Sequence, residues 1–160
     1  MSNEIIRISN IARKYRQIDT VMYAINEENL KRSAIKMAGN KAVGIDKVTK
    51  KEYIEKLNSN IKDLIKRMKR MSYKPKAVRR TYIPKPGSDK KRPLGIPAFE
   101  DKIVQDLMSQ ILEAIYEPMF KEFSYGFRPG RSCHQAIAYL DKMLHREKVN
   151  YVVDGVRIDI

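Results

Sequence analysis

Apolar residues recur at helical spacing through most of this chain. Ile5, Ile8, Ile11, Ala12 and Tyr15 fall on one face of a 3.6-residue period, which predicts a short N-terminal helix. Leu30, Ala34 and Met37 do the same for a second helix over about residues 27–38. Asn26 stands where a side chain caps a first turn, and Gly39-Asn40 stops the helix. Residues 40–48 lose the period and read as a loop with Gly44 as its flexible point. Thr49-Lys50-Lys51-Glu52 has the spacing of a capping box, in which hydroxyl and carboxylate each accept an otherwise orphaned backbone N–H. It opens a helix with the stripe Tyr53, Leu57, Ile61, Leu64, Ile65 and Met68, and Pro75 closes that region.

The pattern then changes. Residues 78–84 and 92–97 are β-prone runs around a Pro86-Gly87-Ser88-Asp89 turn, which predicts a hairpin. Its prolines suit edge positions, because they donate no ladder hydrogen bond. The broadest apolar face follows over residues 100–117, with Ile103, Val104, Leu107, Met108, Ile111, Leu112 and Ile115, and it predicts the central core helix. Pro118 ends it, and residues 120–130 form a loop rich in aromatics and glycine. Ser132-Cys133-His134-Gln135 is a second capping box, opening a helix with Ile137, Leu140 and Leu144. Tyr151-Val152-Val153-Asp154 reads as a buried strand. A lone apolar strand needs neighbours, so it docks in a small sheet of this chain or in one built from further sequence. These elements make an α+β fold, mostly helical, with one antiparallel hairpin and a terminal strand.

Charge adds a partner class. The 160 residues carry 33 Lys and Arg against 19 Asp and Glu, a formal charge of +14, which points to a polyanion. Length and a 42% hydrophobic share suit one domain with a core. The excess is concentrated: residues 62–92 hold thirteen Lys or Arg against Asp63 and Asp89. A solvated face is the plain alternative. The run, however, crosses from a helix into the hairpin and is interleaved with Tyr73, Pro75, Tyr82, Pro84 and Pro86, which favours an ordered cationic surface. Binding phosphates there would release counterions and depend strongly on salt. Cys133 is the sole cysteine, which excludes intramolecular disulfides and cysteine-rich zinc sites and suits a reducing, cytoplasmic setting. No apolar run approaches the ~20 residues that cross a bilayer. The first residues also lack a signal-peptide layout, so neither secretion nor a membrane partner is expected.

Several chemistries have no template here. The chain lacks a P-loop, a Gly-x-Gly-x-x-Gly and a Gly-x-Ser-x-Gly. His134 and His145 are the only histidines and lack a metal-ligand spacing on one helix face, while Cys133 beside His134 reads as a helix-start core residue. Phosphate chemistry remains. A tight turn would bring Lys85 and Arg92 over one surface, where ammonium and guanidinium together clamp a di- or triphosphate; a hairpin tip with solvated cations is the equal alternative. In the 124–132 loop, Arg128 and Arg131 flank Pro-Gly beside Tyr125 and Phe127. This suits base stacking with phosphate holding, or else aromatic core plugs with arginines paired to Glu113, Glu117 or Glu122. Asp154 and Asp159 are the candidate catalytic carboxylates. Two-metal chemistry needs at least two that converge on ions about 3.5–4 Å apart, so the centre looks half built.

The motifs together resemble a family. Ala42-Val-Gly-Ile-Asp-Lys-Val-Thr49, Tyr82-Ile-Pro-Lys-Pro-Gly87, Arg92-Pro-Leu-Gly-Ile-Pro97, Asp101-Lys-Ile-Val-Gln105, Glu117-Pro-Met-Phe120 and Ser124-Tyr-Gly-Phe-Arg-Pro-Gly-Arg-Ser132 occur in the order found in group II intron-encoded reverse transcriptases and maturases. The chain resembles their N-terminal part, the fingers and start of palm of a right-hand polymerase. The resemblance implies one incomplete domain over 1–160: N-terminal helices and a lid segment over 1–48, fingers over 49–149, and a first palm strand over 150–160. It implies RNA-directed DNA polymerisation and intron maturation, with Lys85 and Arg92 on the incoming nucleotide's triphosphate. Lys66, Lys69, Arg70, Lys74, Lys76, Arg79, Arg80, Arg128 and Arg131 would lie along nucleic acid. Partners would be intron RNA, an RNA template with its DNA primer, a complementing palm and thumb polypeptide, or a second copy of the chain. Mg2+ belongs to the complete enzyme and is not expected to stay bound to this chain. The family's metal-binding aspartate aligns with Val156 on one reading and with Asp159 on another. Without the family's Tyr-Ala-Asp-Asp hairpin, these 160 residues are expected to bind RNA and not to polymerise.

Overall fold

The computed structural model describes residues 2–15, 18, 20–151, 153 and 155, and of Ser88 the backbone alone. The chain divides into two compact units, one ending at Pro118 and the other beginning at Met119.

The first unit is a helical body carrying a hairpin. Helix α1 (Asn3–Lys14) starts at Ser2, whose hydroxyl accepts the Ile5 N–H, and it buries Ile5, Ile8 and Ala12. Helix α2 (Glu27–Lys36) is capped by Asn26, whose Oδ1 accepts the Asn29 N–H at 2.9 Å. It ends earlier than the sequence predicts, because Met37 is already extended. The Lys50 ammonium donates to the Ile35 and Met37 carbonyls there, replacing a further helical turn. The Thr49 capping box forms as expected and starts α3 (Lys50–Glu55). The single helix predicted after it is two helices, broken at Lys56 before α4 (Leu57–Lys69). The Asn60 side-chain amide donates to the Tyr53 carbonyl at 3.0 Å, the acceptor that a continuous helix would offer to Leu57.

Helix α5 (Phe99–Tyr116) is the centre, as its pattern predicts. It packs on α1 and α2 and seals Ile103, Leu107 and Ile111 from solvent. Each such side chain contributes roughly 1.5–3 kcal/mol on burial. Ile5, Ile8, Leu30, Ala34, Ile61 and Leu64 complete the core around it.

Strands β1 (Arg79–Lys85) and β2 (Ser88–Ile96) pair antiparallel, with Arg79 opposite Ile96 and Ile83 opposite Arg92. The turn is tighter than predicted and β2 begins at Ser88, because Gly87 takes φ +71 directly after Pro86 and closes the chain in two residues. An irregularity between Pro84 and Lys85 absorbs the difference in strand length.

The second unit departs most from expectation. Ser132 and Gln135 form the predicted capping box at the start of α6 (Cys133–Arg146). The stripe predicted as core is open to solvent, with Ile137 66%, Leu140 54% and Leu144 45% exposed. No described residue of this unit is buried. One helix with loops provides no second layer to cover an apolar face. The expected terminal strand lies largely outside the described residues. Tyr151 and Val153 are described, and both are exposed and without regular structure.

Candidate nucleic-acid interface

The thirteen cations of residues 62–92 do not form one surface. They divide into those held by the protein and those left to solvent. At the end of α4, Arg67 donates from Nε to Asp63 at 2.7 Å and from Nη2 to Glu100 at 2.8 Å. Glu100 also accepts the Tyr53 hydroxyl at 3.1 Å. Beside it, the carboxylate of Asp101, only 3% exposed, accepts the Tyr73 hydroxyl and, at 3.0 Å, the Lys76 N–H. These two acids in the first turn of α5 fasten residues 67–76 to the core. Burial first, and then the neighbouring carboxylates, hold both phenols well above the ordinary tyrosine value, so both remain neutral donors. Sequence reasoning finds Asp101 only as part of a family motif and misses Glu100 and Arg67. Acids in a helix's first turn are a signal for dipole pairing, but nothing local names partners thirty residues away.

The base of the hairpin is tied to residues 42–48. Arg79 Nε donates to the Val43 carbonyl at 3.0 Å, Lys102 Nζ to the Ala42 carbonyl at 2.7 Å, and Lys76 Nζ pairs with Asp46 at 3.0 Å. Gly44 lies between them. A Cβ built there would stand 2.6 Å from Ala98 Cα and 2.8 Å from the Pro97 carbonyl oxygen. Gly44 is therefore a close-approach glycine, and the flexible point predicted there is corrected: the site requires a missing side chain, not a mobile backbone. Lys76 and Arg79, two of the predicted nucleic-acid contacts, here seat this segment.

The remaining predicted cations face solvent. Lys66, Lys69, Arg70, Lys74 and Arg80 are exposed, and their side chains have no hydrogen bond or ion pair among the described residues. The same holds for Lys85 and Arg92 at the tip. The register places Arg92 opposite Ile83, and Lys85 lies two residues farther along β1. The register shift between Pro84 and Lys85 sets Lys85 opposite Ser88, so the two cations flank the turn from opposite strands. The tip thus has two cations whose side-chain donors are unused among the described residues, with Asp89 next to Ser88 in β2.

In the second unit, Arg128 Nη1 donates to the carbonyls of Lys121 and Ser124 at 2.9 and 2.8 Å, and its guanidinium lies over the Phe120 ring at 4.9 Å. Arg128 therefore folds its own loop. Arg131 lies over Tyr125 at 5.4 Å, and Tyr125 packs at 6.2 Å on Tyr139 of α6. Phe127, the other predicted core plug, is fully exposed and held at φ +56. Asp154 and Asp159 lie outside the described residues. Among those described, no group of three or more His, Cys, Asp or Glu is placed to hold a metal ion, and no helix is long and apolar enough to cross a membrane.

Known proteins give this geometry a context. Residues 83–155 match the family described as Reverse transcriptase (RNA-dependent DNA polymerase). The chain is 54% identical over 77 residues to the Group II intron-encoded protein LtrA of Lactococcus lactis subsp. cremoris, covering 48% of this chain and 13% of LtrA. It is 45% identical over 94 residues to Protein YkfC of Escherichia coli (strain K12), 59% of this chain and 24% of that one. It is 33% identical over 66 residues to Nuclear intron maturase 2, mitochondrial, of Arabidopsis thaliana, 38% and 9% of the two. The matched stretch covers less than a quarter of each relative. The match to the polymerase family begins inside β1 and runs through the hairpin tip, α5 and α6, and over this stretch the chain is similar to group II intron-encoded reverse transcriptases and maturases.

Proposed function

We propose that this chain is an RNA-binding fingers module in which the hairpin tip receives the triphosphate of an incoming deoxynucleotide. The observation that carries the reading is the partition of cations. Those at the hairpin base, with Lys102, each spend a donor on seating residues 42–48. Lys85 and Arg92 at the tip keep every side-chain donor free among the described residues. A forked guanidinium and an ammonium flanking one turn offer a polyphosphate both charge and direction. The exposed Lys66, Lys69, Arg70, Lys74 and Arg80 extend a positive surface for the RNA strand, and Arg131 with Tyr125 offers a second contact in the other unit. Intron RNA and an RNA template with its DNA primer are the partners this surface suits.

Reverse transcriptases use Mg2+, and Asp154 or Asp159 would be its ligand here. One carboxylate does not make a two-metal centre, so in this reading these residues hold RNA and nucleotide while polymerisation requires a palm with further carboxylates. The open apolar stripe of α6 favours completion by such a polypeptide. The test is binding of group II intron RNA to the purified chain across a salt series. Binding should be micromolar or tighter at low salt and fall about 10³-fold between 50 and 200 mM, the behaviour of roughly six phosphate contacts. Salt-independent or absent binding overturns the reading, and primer extension by the chain alone overturns the need for a palm.

A further inference from the structure

The first unit contains a half-open cavity of about 430 Å³ that takes no part in the cationic surface. It lies between the end of α2, the last residues of β2 and the first turn of α5. Met37, Leu94, Ile96, Pro97 and Phe99 give it an almost wholly apolar lining. Its volume is in the range of small-molecule sites. Every charged residue on its edge is a lysine: Lys41, Lys50 and Lys102. Lys50 spends two donors on the Ile35 and Met37 carbonyls, and Lys102 one on the Ala42 carbonyl. An ammonium has three donors, so each keeps at least one. Lys41 is exposed and has no partner among the described residues.

We infer that this cavity binds a small amphiphilic anion, with its hydrocarbon body on Leu94, Ile96 and Phe99 and its acidic head at Lys41, Lys50 and Lys102. Three positive rim charges without a counter-carboxylate select the sign of the head. Walls that present almost no polar atom select hydrocarbon over a nucleobase, whose edge would lose its hydrogen bonds there. The site stands apart from Lys85 and Arg92, so it does not depend on the nucleotide reading. Its walls, however, join the hairpin's exit strand to the segment leading into residues 42–48, so an occupant would bind to both sides of that junction.

The experiment titrates the full chain with dodecanoate, dodecanol and dodecyltrimethylammonium and follows backbone amide NMR shifts. Saturable shifts at Gly39, Gly95 and Phe99 with dodecanoate are expected, with affinity about tenfold or more above that for dodecanol, since the head adds charge-assisted bonds. Lys41→Glu should weaken dodecanoate severalfold. Leu94→Trp should block binding by filling the cavity while keeping the wild-type melting temperature, because Leu94 is 45% exposed. Three results overturn the inference: equal binding of the cationic detergent, no saturation, or shifts confined to the Ile137–Leu140–Leu144 stripe of α6 and indifferent to Leu94→Trp.

Discussion

The base and the tip of one hairpin carry the same kinds of residue and use them for opposite ends. At the base, Arg79 and neighbouring Lys76 are bonded to residues 43 and 46, and Gly44 lets that segment touch Pro97 and Ala98. At the tip, Lys85 and Arg92 extend into solvent with no partner among the described residues, and Gly87 serves only to turn the chain. A cation bonded to the chain's own acceptors helps to hold the scaffold, and one without such bonds has all its donors open to a ligand. Net charge does not distinguish them; acceptors within reach do.

The largest test of this contrast exchanges the two glycines for alanine. Gly44→Ala forces a methyl group against Ala98 and Pro97 backbone and should cost about 2–4 kcal/mol in chemical denaturation. Gly87→Ala meets no atom within 4 Å and carries only the penalty of its positive φ, about 1 kcal/mol. Equal losses would erase the distinction between a packed base and a free tip. Next in size is Asp101→Ala, which strands the Tyr73 hydroxyl and the Lys76 N–H at the foot of the hairpin and should cost about 2–3 kcal/mol by the same measurement. A loss under half a kcal/mol would show that Asp101 does not fasten this region.

Alkaline pH probes the same fastening. The folded chain holds the Tyr53 and Tyr73 protons more tightly than the unfolded chain does. Their contribution is therefore complete below the unfolded tyrosine value, near 10, and is lost as pH rises through it towards the folded values. Stability measured from pH 8 to 11 should fall at the upper end, and the fall should shrink in Tyr73→Phe. A profile unchanged by that variant would remove Tyr73 from the account. The smallest stability effects separate the cations themselves. Arg79→Ala should lose about 0.5–1 kcal/mol. Lys85→Ala and Arg92→Ala should change stability by less than about 0.5 kcal/mol. If both tip residues touch phosphate, each tip variant should also lower the salt slope of RNA binding by about one unit. A tip variant that unfolds the chain, or a base variant that alters only the slope, would reverse the assignment.

Sequence periodicity located what local chemistry controls. Both capping boxes, the Asn26 cap and the apolar stripe of α5 form where their residues stand, because each needs partners only three or four positions away. The family resemblance was legible for a similar reason, since its motifs are contiguous runs. The break at Lys56 was not legible, because it depends on one amide seven residues along the chain reaching the Tyr53 carbonyl.

Two further matters required the folded chain. A periodic apolar stripe says that a face will be covered but not by what, and α6 has the stripe with no second layer in its own unit. A lysine or arginine in a basic run likewise gives no sign of whether a carbonyl thirty-six residues away will occupy it, as Val43 occupies Arg79. Sequence by itself determined most of the helical segments, the hairpin, the sign of the charge and the resemblance to intron-encoded reverse transcriptases. Only tertiary structure decided which charges remain free and why Gly44 must lack a side chain, because those depend on distances between segments that the chain order leaves far apart.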